Sequence, residues 1–296
     1  MAIISRKTRR KAAPYLMVLP ALLLLGVFVY GVGSGIIQGF GIMPFLDRTE
    51  FTLEYYEQAL TRADLLGSIM FSLYFSFTSA ILATVGGVAL SALMTRARTG
   101  RLTRLFGIQV PITTMHAVVA LAVICLFSGA GLFPRVLHVL GAAPDATSFP
   151  SVVGAPSGWG IIAVYLWKEI PFIAFMTITI MMNISSTLGE AARTLGAGSA
   201  RAFFSVTLPL CRGAILRAFL VVFAFAFGSY EIPFLLEPTV PKALPVLAYI
   251  EFQDPDIINR CYAMALNGIM AGICTVLCVV YYVVLQRDGK RKRGRR

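Results

Sequence analysis

The residues able to do chemistry in this chain are few, and several stand where water is scarce. Lys168 and Glu169 fall near the middle of an apolar stretch, beside Pro171, and Glu231 lies toward the end of another, next to Tyr230 and close to Pro233. A charge at bilayer depth costs roughly 2.5–3.5 kcal/mol on insertion scales, so each calls for a partner or a wet cavity. Lys168 and Glu169 are adjacent, so on a helix they point about 100° apart and cannot pair face to face. Each is expected to meet another helix, a second subunit or water, either as a structural contact or on a translocation path. Glu231 has two readings, a carboxylate lining a gate with Tyr230 beside it and one snorkelling to the outer interface. His116, Asn183 and Asn267 read as interhelical hydrogen-bonding residues.

Other chemistries find no residues to carry them. The chain has two histidines, too few for the clustered acid and base groups of a membrane-embedded enzyme, so no catalytic residue is assigned. Cys125, Cys211, Cys261, Cys274 and Cys278 form no C-x-x-C pair, and no His/Cys cluster has metal-ligand spacing. Cys274 and Cys278 share a helix face and read as small-residue packing. A phosphate cradle of the G-x-x-x-x-G-K-[ST] type is also missing, so the chain has no ATP site of its own.

A second group of residues is patterned. The segment NISSTLGEAARTLGAGSARAFFSVTLPLCRG lies between two apolar runs and is too regular for a plain connector. Thr187-Leu188-Gly189-Glu190 fits a capping box opening a short helix, and Ala191, Ala192, Arg193 and Leu195 continue it. Gly196 is placed to terminate it, and Ala200 to Val206 predict a second stretch closed by Pro209. A small helix with alanines on its surface approaches a partner closely, with Glu190 and Arg193 left for rim contacts.

The elements positioning these residues follow from composition. With 57% hydrophobic and 14% charged residues over 296 positions, the chain has too little polar surface for a water-soluble globule. Apolar runs at about 14–37, 66–94, 107–129, 158–182, 214–236 and 262–285 predict an all-α polytopic membrane protein of about six transmembrane helices. The first run is too long for a signal-peptide core and reads as a retained helix. The predicted organisation is a basic tail 1–13, a membrane domain 14–285 holding the 183–213 loop between helices four and five, and a basic tail 286–296. FTLEYYEQAL predicts a short amphipathic helix at the outer interface, and Gly141 to Pro156 a loop.

Charge sets the orientation. The net charge of +12 could suggest nucleic acid, but its clusters abut the first and last spans, which points to membrane lipid and topology instead. Only Arg48, Arg62, Arg135, Lys242 and Arg260 fall in the loops 38–65, 130–157 and 237–261, so both termini and the 183–213 loop are expected in the cytoplasm.

The patterned loop resembles a known family. Glu190-Ala191-Ala192, three residues, Gly196, nine residues, then Val206-x-Leu208-Pro209 is similar to the EAA loop of bacterial binding-protein-dependent ABC importer permeases of the MetI-like type I class. LWKEIPF resembles the fourth helix of such permeases. FGSYEIPFLL resembles the fifth helix of the spermidine/putrescine and ferric-iron members. Ser185 after Ile184 departs from the Ile-Pro common there. The resemblance implies a multi-pass inner-membrane permease paired with a second permease, identical or homologous. It also implies an ABC ATPase dimer that binds ATP and Mg, and an extracytoplasmic solute-binding protein. Its ATPase contacts would be Glu190, Ala191, Ala192, Arg193, Gly196, Leu208 and Pro209, and its path residues Glu231, Tyr230, Lys168 and Glu169. The solute would be small and polar, with polyamine favoured by Glu231 over ferric iron, thiamine or phosphonate. The rival reading is an ion-gradient-driven secondary transporter, against which stands the lack of an internal repeat.

Overall fold

The computed structural model describes residues 6–97, 100, 105–141, 152–238 and 240–293. Residues 1–5 and 294–296 of the expected tails, 98–99 and 101–104 before the third span, and 142–151 of the expected 141–156 loop lie outside the described residues.

The described residues are mostly helical and hold one isolated bridge, between Met43 and Arg48. In order the helices are α1 Arg6–Gly39, α2 Glu54–Thr61, α3 Leu65–Arg96, α4 Val110–Thr113, α5 His116–Phe127 and α6 Leu132–Val139. They continue as α7 Trp159–Ile184, α8 Glu190–Thr194, α9 Ser199–Ala202, α10 Leu208–Gly228, α11 Glu231–Leu236, α12 Leu244–Phe252 and α13 Asn259–Arg293. Six segments among the described residues are long and apolar enough to cross a membrane: Met17–Gly39, Leu65–Arg96, His116–Val139, Trp159–Thr194, Ser199–Gly228 and Asn259–Val283.

The chain divides into two compact units, residues 1–62 with 250–271 and residues 63–249 with 272–296. In the first, α2 confirms the short helix expected in FTLEYYEQAL: Tyr55 is buried and accepts a hydrogen bond from Arg48 at 3.0 Å, while Phe51 and Leu60 stay exposed. Arg62 pairs with Glu251 at 2.6 Å, and Asn259 donates to the same carboxylate at 2.9 Å, tying the end of α2 to the start of α13.

In the second unit, α3 and α7 lie side by side and parallel. Phe75 stacks on Tyr165, Gly87 abuts Ile173, and Ser91 bonds Thr177 at 2.9 Å, so the two numberings advance together. The sequence of α3 explains the close approach. Ser72, Ser76, Ala80, Ala83, Gly87 and Ser91 recur every three or four residues and are all buried. Between helices in lipid, packing and hydrogen bonds replace the hydrophobic effect, and small residues let backbones come near. A Cβ on Gly87 would stand 2.7 Å from the Ile173 Cβ and 2.8 Å from the Ile170 carbonyl. Helix α10 packs on the same pair through Ala218, Val222, Phe223 and Ala226, completing a three-helix core.

Two expected spans are interrupted. The third, expected as 107–129, breaks at Thr114 and Met115, both in extended conformation. Pro111 and the hydroxyls of Thr113 and Thr114, which bond back to the Gln109 and Val110 carbonyls, weaken the helix there. The fifth, expected as 214–236, ends at Gly228 with Ser229 extended, and α11 restarts at Glu231. Pro233 has no N–H to continue the α10 ladder, and it fits the first turn of a new helix.

Candidate functional site

The α7–α10 connection is built differently from the expectation. No capping box forms: the Thr187 hydroxyl donates to the Asn183 carbonyl at 2.9 Å, one turn back, and Gly189, the residue before α8, makes no side-chain cap. The helix instead runs on from α7 through a wide turn at Ser185–Gly189 into α8. A proline after Ile184 would have favoured a stop, and Ser185 keeps the backbone donor that lets the helix widen. Pro209 likewise does not close the second stretch. It sits in the first turn of α10 after a wide turn at Phe203–Thr207, and the helical span continues to Gly228.

Gly196 does end α8. Its φ is +88°, its N–H donates to the Arg193 carbonyl at 2.9 Å, and Ala197 donates to the Ala192 carbonyl at 3.0 Å. This paired closure needs a left-handed residue, which glycine adopts without steric cost.

The resulting knob has two faces. Leu188, Ala191 and Leu195 are exposed, Leu195 at 89%, and with half-buried Ala192 they form a small apolar surface that the described residues leave uncovered. Glu190 and Arg193 face the other way, into a groove beneath α3, and Arg193 donates to Ser199 at 3.0 Å. Leu208 is drawn inward against Met181, Cys211 and Ile215, while Pro209 remains exposed. The coupling residues named from sequence therefore separate into an outward surface, a groove wall and one packing residue.

The membrane charges gather at the two helix breaks. Lys168 donates to the Thr114 carbonyl at 2.6 Å, an acceptor left open where α4 stops, and its Nζ lies 3.4 Å from His116 Nδ1. Glu231, the first residue of α11, is exposed at the second break. The adjacent Glu169 does not join them. It is 5% exposed, and neither carboxylate oxygen has a hydrogen-bond partner among the described residues. Aromatic rings surround the breaks: Phe225 lies 5.1 Å from His116, Tyr230 stacks on Tyr249 at 4.5 Å, and Phe234 meets Tyr249 edge-on at 5.5 Å. Phe225, Tyr230 and Phe234 are exposed.

Sequence reading missed Thr114, Phe225 and Tyr249 and left His116 as a generic hydrogen-bonding residue. The Pro111-Ile112-Thr113-Thr114 run was the available signal, since proline and paired threonines in an apolar stretch mark a weak helix.

Beyond the breaks, Glu237 holds the loop between α11 and α12 by accepting the Ala243 N–H at 2.7 Å. Burial pushes its carboxyl up to about 7, against the lowering effects of that N–H and of Lys242.

These features define a polytopic helical membrane protein with interrupted spans and a protruding connection. Residues 87–289 match the family described as "Binding-protein-dependent transport system inner membrane component", and the chain belongs to it. The diacetylchitobiose uptake system permease protein of Streptomyces coelicolor is 27% identical, over 93% of this chain and 88% of that one. A molybdate/tungstate transport system permease protein of Pyrococcus furiosus is 25% identical, over 86% and 92%. A bacterial alginate ABC transporter, solved with an alginate pentasaccharide-bound periplasmic protein, contains a chain of the same fold with a TM-score of 0.77. That chain is 17% identical, with 96% of this chain and 97% of that one covered. The chain is thus a multi-pass inner-membrane ABC importer permease subunit of a binding-protein-dependent system, and not itself an enzyme.

Proposed function

We propose that this permease lets a saccharide through the membrane past the breaks at 114–115 and 229–230, and takes its driving motion at Leu188, Ala191, Ala192 and Leu195. The single observation carrying the saccharide is the set of exposed rings beside the charged breaks. A sugar ring offers an apolar C–H face to Phe225, Tyr230 or Phe234 and hydroxyl edges to Glu231, Lys168 and His116, the mix of apolar walls and few polar groups usual in solute sites. The chitobiose and alginate relatives favour the same class. The polyamine expectation rested on Glu231 alone, and the Lys168 ammonium at the other break weakens the attraction for a cation.

In this reading both termini and the knob are cytoplasmic, a separate ATPase dimer holding ATP and Mg docks on the apolar face, a second permease completes the path, and the binding protein delivers solute from outside. Uptake by the reconstituted complex tests it, with labelled oligosaccharides, spermidine and molybdate offered in parallel. Saccharide uptake that requires ATP and falls in Tyr230→Ala supports the proposal. Uptake of molybdate or spermidine alone overturns the substrate class, and a complex that purifies without any ATPase overturns the coupling role.

A further inference from the structure

We infer that the groove between the end of α3 and the α8 knob binds the headgroup of an anionic phospholipid from the cytoplasmic leaflet. The inference rests on the orientation proposed above, which places this groove at the inner membrane boundary. The groove is a cavity of about 690 Å³, walled by the last turn of α3, the wide turn after α7, α8, and the start of the next span.

Its chemistry is that of a phosphodiester site with an apolar margin. Arg96 and Arg193 both line it, and guanidinium groups bind phosphate oxygens with paired, charge-assisted hydrogen bonds. Ser185 and Ser199 add hydroxyl donors. Glu190 shares the wall, so the groove carries a small positive excess that suits one negative charge better than several. Basic pockets between spans on the cytoplasmic side are suited to anionic headgroups.

The margin selects a lipid over a soluble phosphate. Leu93 and Phe204 line the same cavity, are 66% and 65% exposed, and belong to membrane-spanning segments. A free phosphate gains nothing from them, whereas acyl chains leaving a bound headgroup would lie along them. The apolar face proposed above for the ATPase lies on other residues, because Leu188, Ala191, Ala192 and Leu195 do not line the cavity. A lipid held here would join the end of the second span to the knob.

The test uses the intact complex in nanodiscs of phosphatidylcholine titrated with phosphatidylglycerol, released into native mass spectrometry. Phosphatidylglycerol should be retained in preference to phosphatidylcholine. Arg96→Gln should lower that retention about tenfold, Arg96→Lys should restore part of it, and Arg135→Gln should leave it unchanged. Phe204→Ser should weaken retention while leaving Arg96 in place. Equal retention of phosphatidylcholine, full retention in Arg96→Gln, or displacement by soluble glycerol 3-phosphate would each overturn the inference. Retention is read without solute or ATP, so its failure is separate from failure of the transport reading, which uptake and ATPase co-purification report.

Discussion

Lys168 shows how one side chain can hold an interrupted helix at membrane depth. Its ammonium satisfies the Thr114 carbonyl, and without it that acceptor faces an apolar medium at a cost of ~1–3 kcal/mol. Lys168→Met should therefore reduce uptake tenfold or more while leaving membrane level and ATPase co-purification near wild type, and Lys168→Arg should retain part of the uptake. Uptake unchanged in the methionine variant would mean that the break needs no such support. Glu237 makes a separate prediction about pH. Its carboxyl titrates at about 7 in the fold against an ordinary 4.5 in the unfolded chain. Its stabilising contribution is therefore complete below pH 4.5 and lost as pH rises toward about 7. Melting temperature, compared with Glu237→Gln across that window, should fall more steeply in the wild type; parallel curves would reject the assignment. The sequence made Lys168 and Glu231 conspicuous because charges are rare in apolar runs. It did not reveal that Lys168 meets His116 while Glu169, one residue away, is buried without a hydrogen-bond partner among the described residues, since that depends on which neighbouring helix each one meets.

At the level of elements, close approach of α3 to α7 depends on an absent side chain. Gly87→Val would press its Cβ against the Ile173 side chain and a backbone carbonyl that cannot move aside, so overpacking should cost about 1–3 kcal/mol. A lowered melting temperature in lipid nanodiscs checks this, with Gly26→Val, where nothing lies within 4 Å, as the neutral control. Gly196 differs in kind. A Cβ there meets nothing within 4 Å, so the requirement is its positive φ and not space. Gly196→Ala should cost ~1–2 kcal/mol of knob stability and reduce coupling, whereas Gly196→Asn should be milder because asparagine tolerates the left-handed region. Equal uptake in the two variants would count against that reason. Gly196 was legible from sequence because a glycine after a helical run has one common use. Thr187 and Pro209 were misread because a capping box and a proline stop both presume a helix end. Here wide turns absorb the irregularity, and the helices continue through them.

Across the whole molecule, burial is spread as expected for a protein whose outer solvent is lipid. The apolar window of the first span is wholly unburied within the chain, while that of the fourth is 56% buried at the centre of its unit. Six spans were countable because twenty apolar residues have few other uses, but the breaks were not, because short polar interruptions leave average hydropathy high. The parallel packing of α3 and α7 requires both to cross the membrane in the same direction, as the second and fourth of six spans must. It fixes the relative sense of these two spans and leaves the absolute sense to charge. The loops that would face outward carry Arg48, Arg62, Arg135, Lys242 and Arg260, and Arg62 is paired with Glu251. The opposite side carries Arg96, Arg193, Arg201, Arg212, Arg217 and the two basic tails, a bias that holds such segments in the cytoplasm. Reporter fusions after Gly196 and after either terminus should therefore read as cytoplasmic, and fusions after Asp47, Gly141 and Asp254 as extracytoplasmic. The outcome matters most for the knob, since an ATPase can dock on Leu188, Ala191 and Leu195 only from the cytosol. An extracytoplasmic signal at Gly196 would remove the coupling surface and the lipid groove beside it at once, whatever the path through the membrane carries.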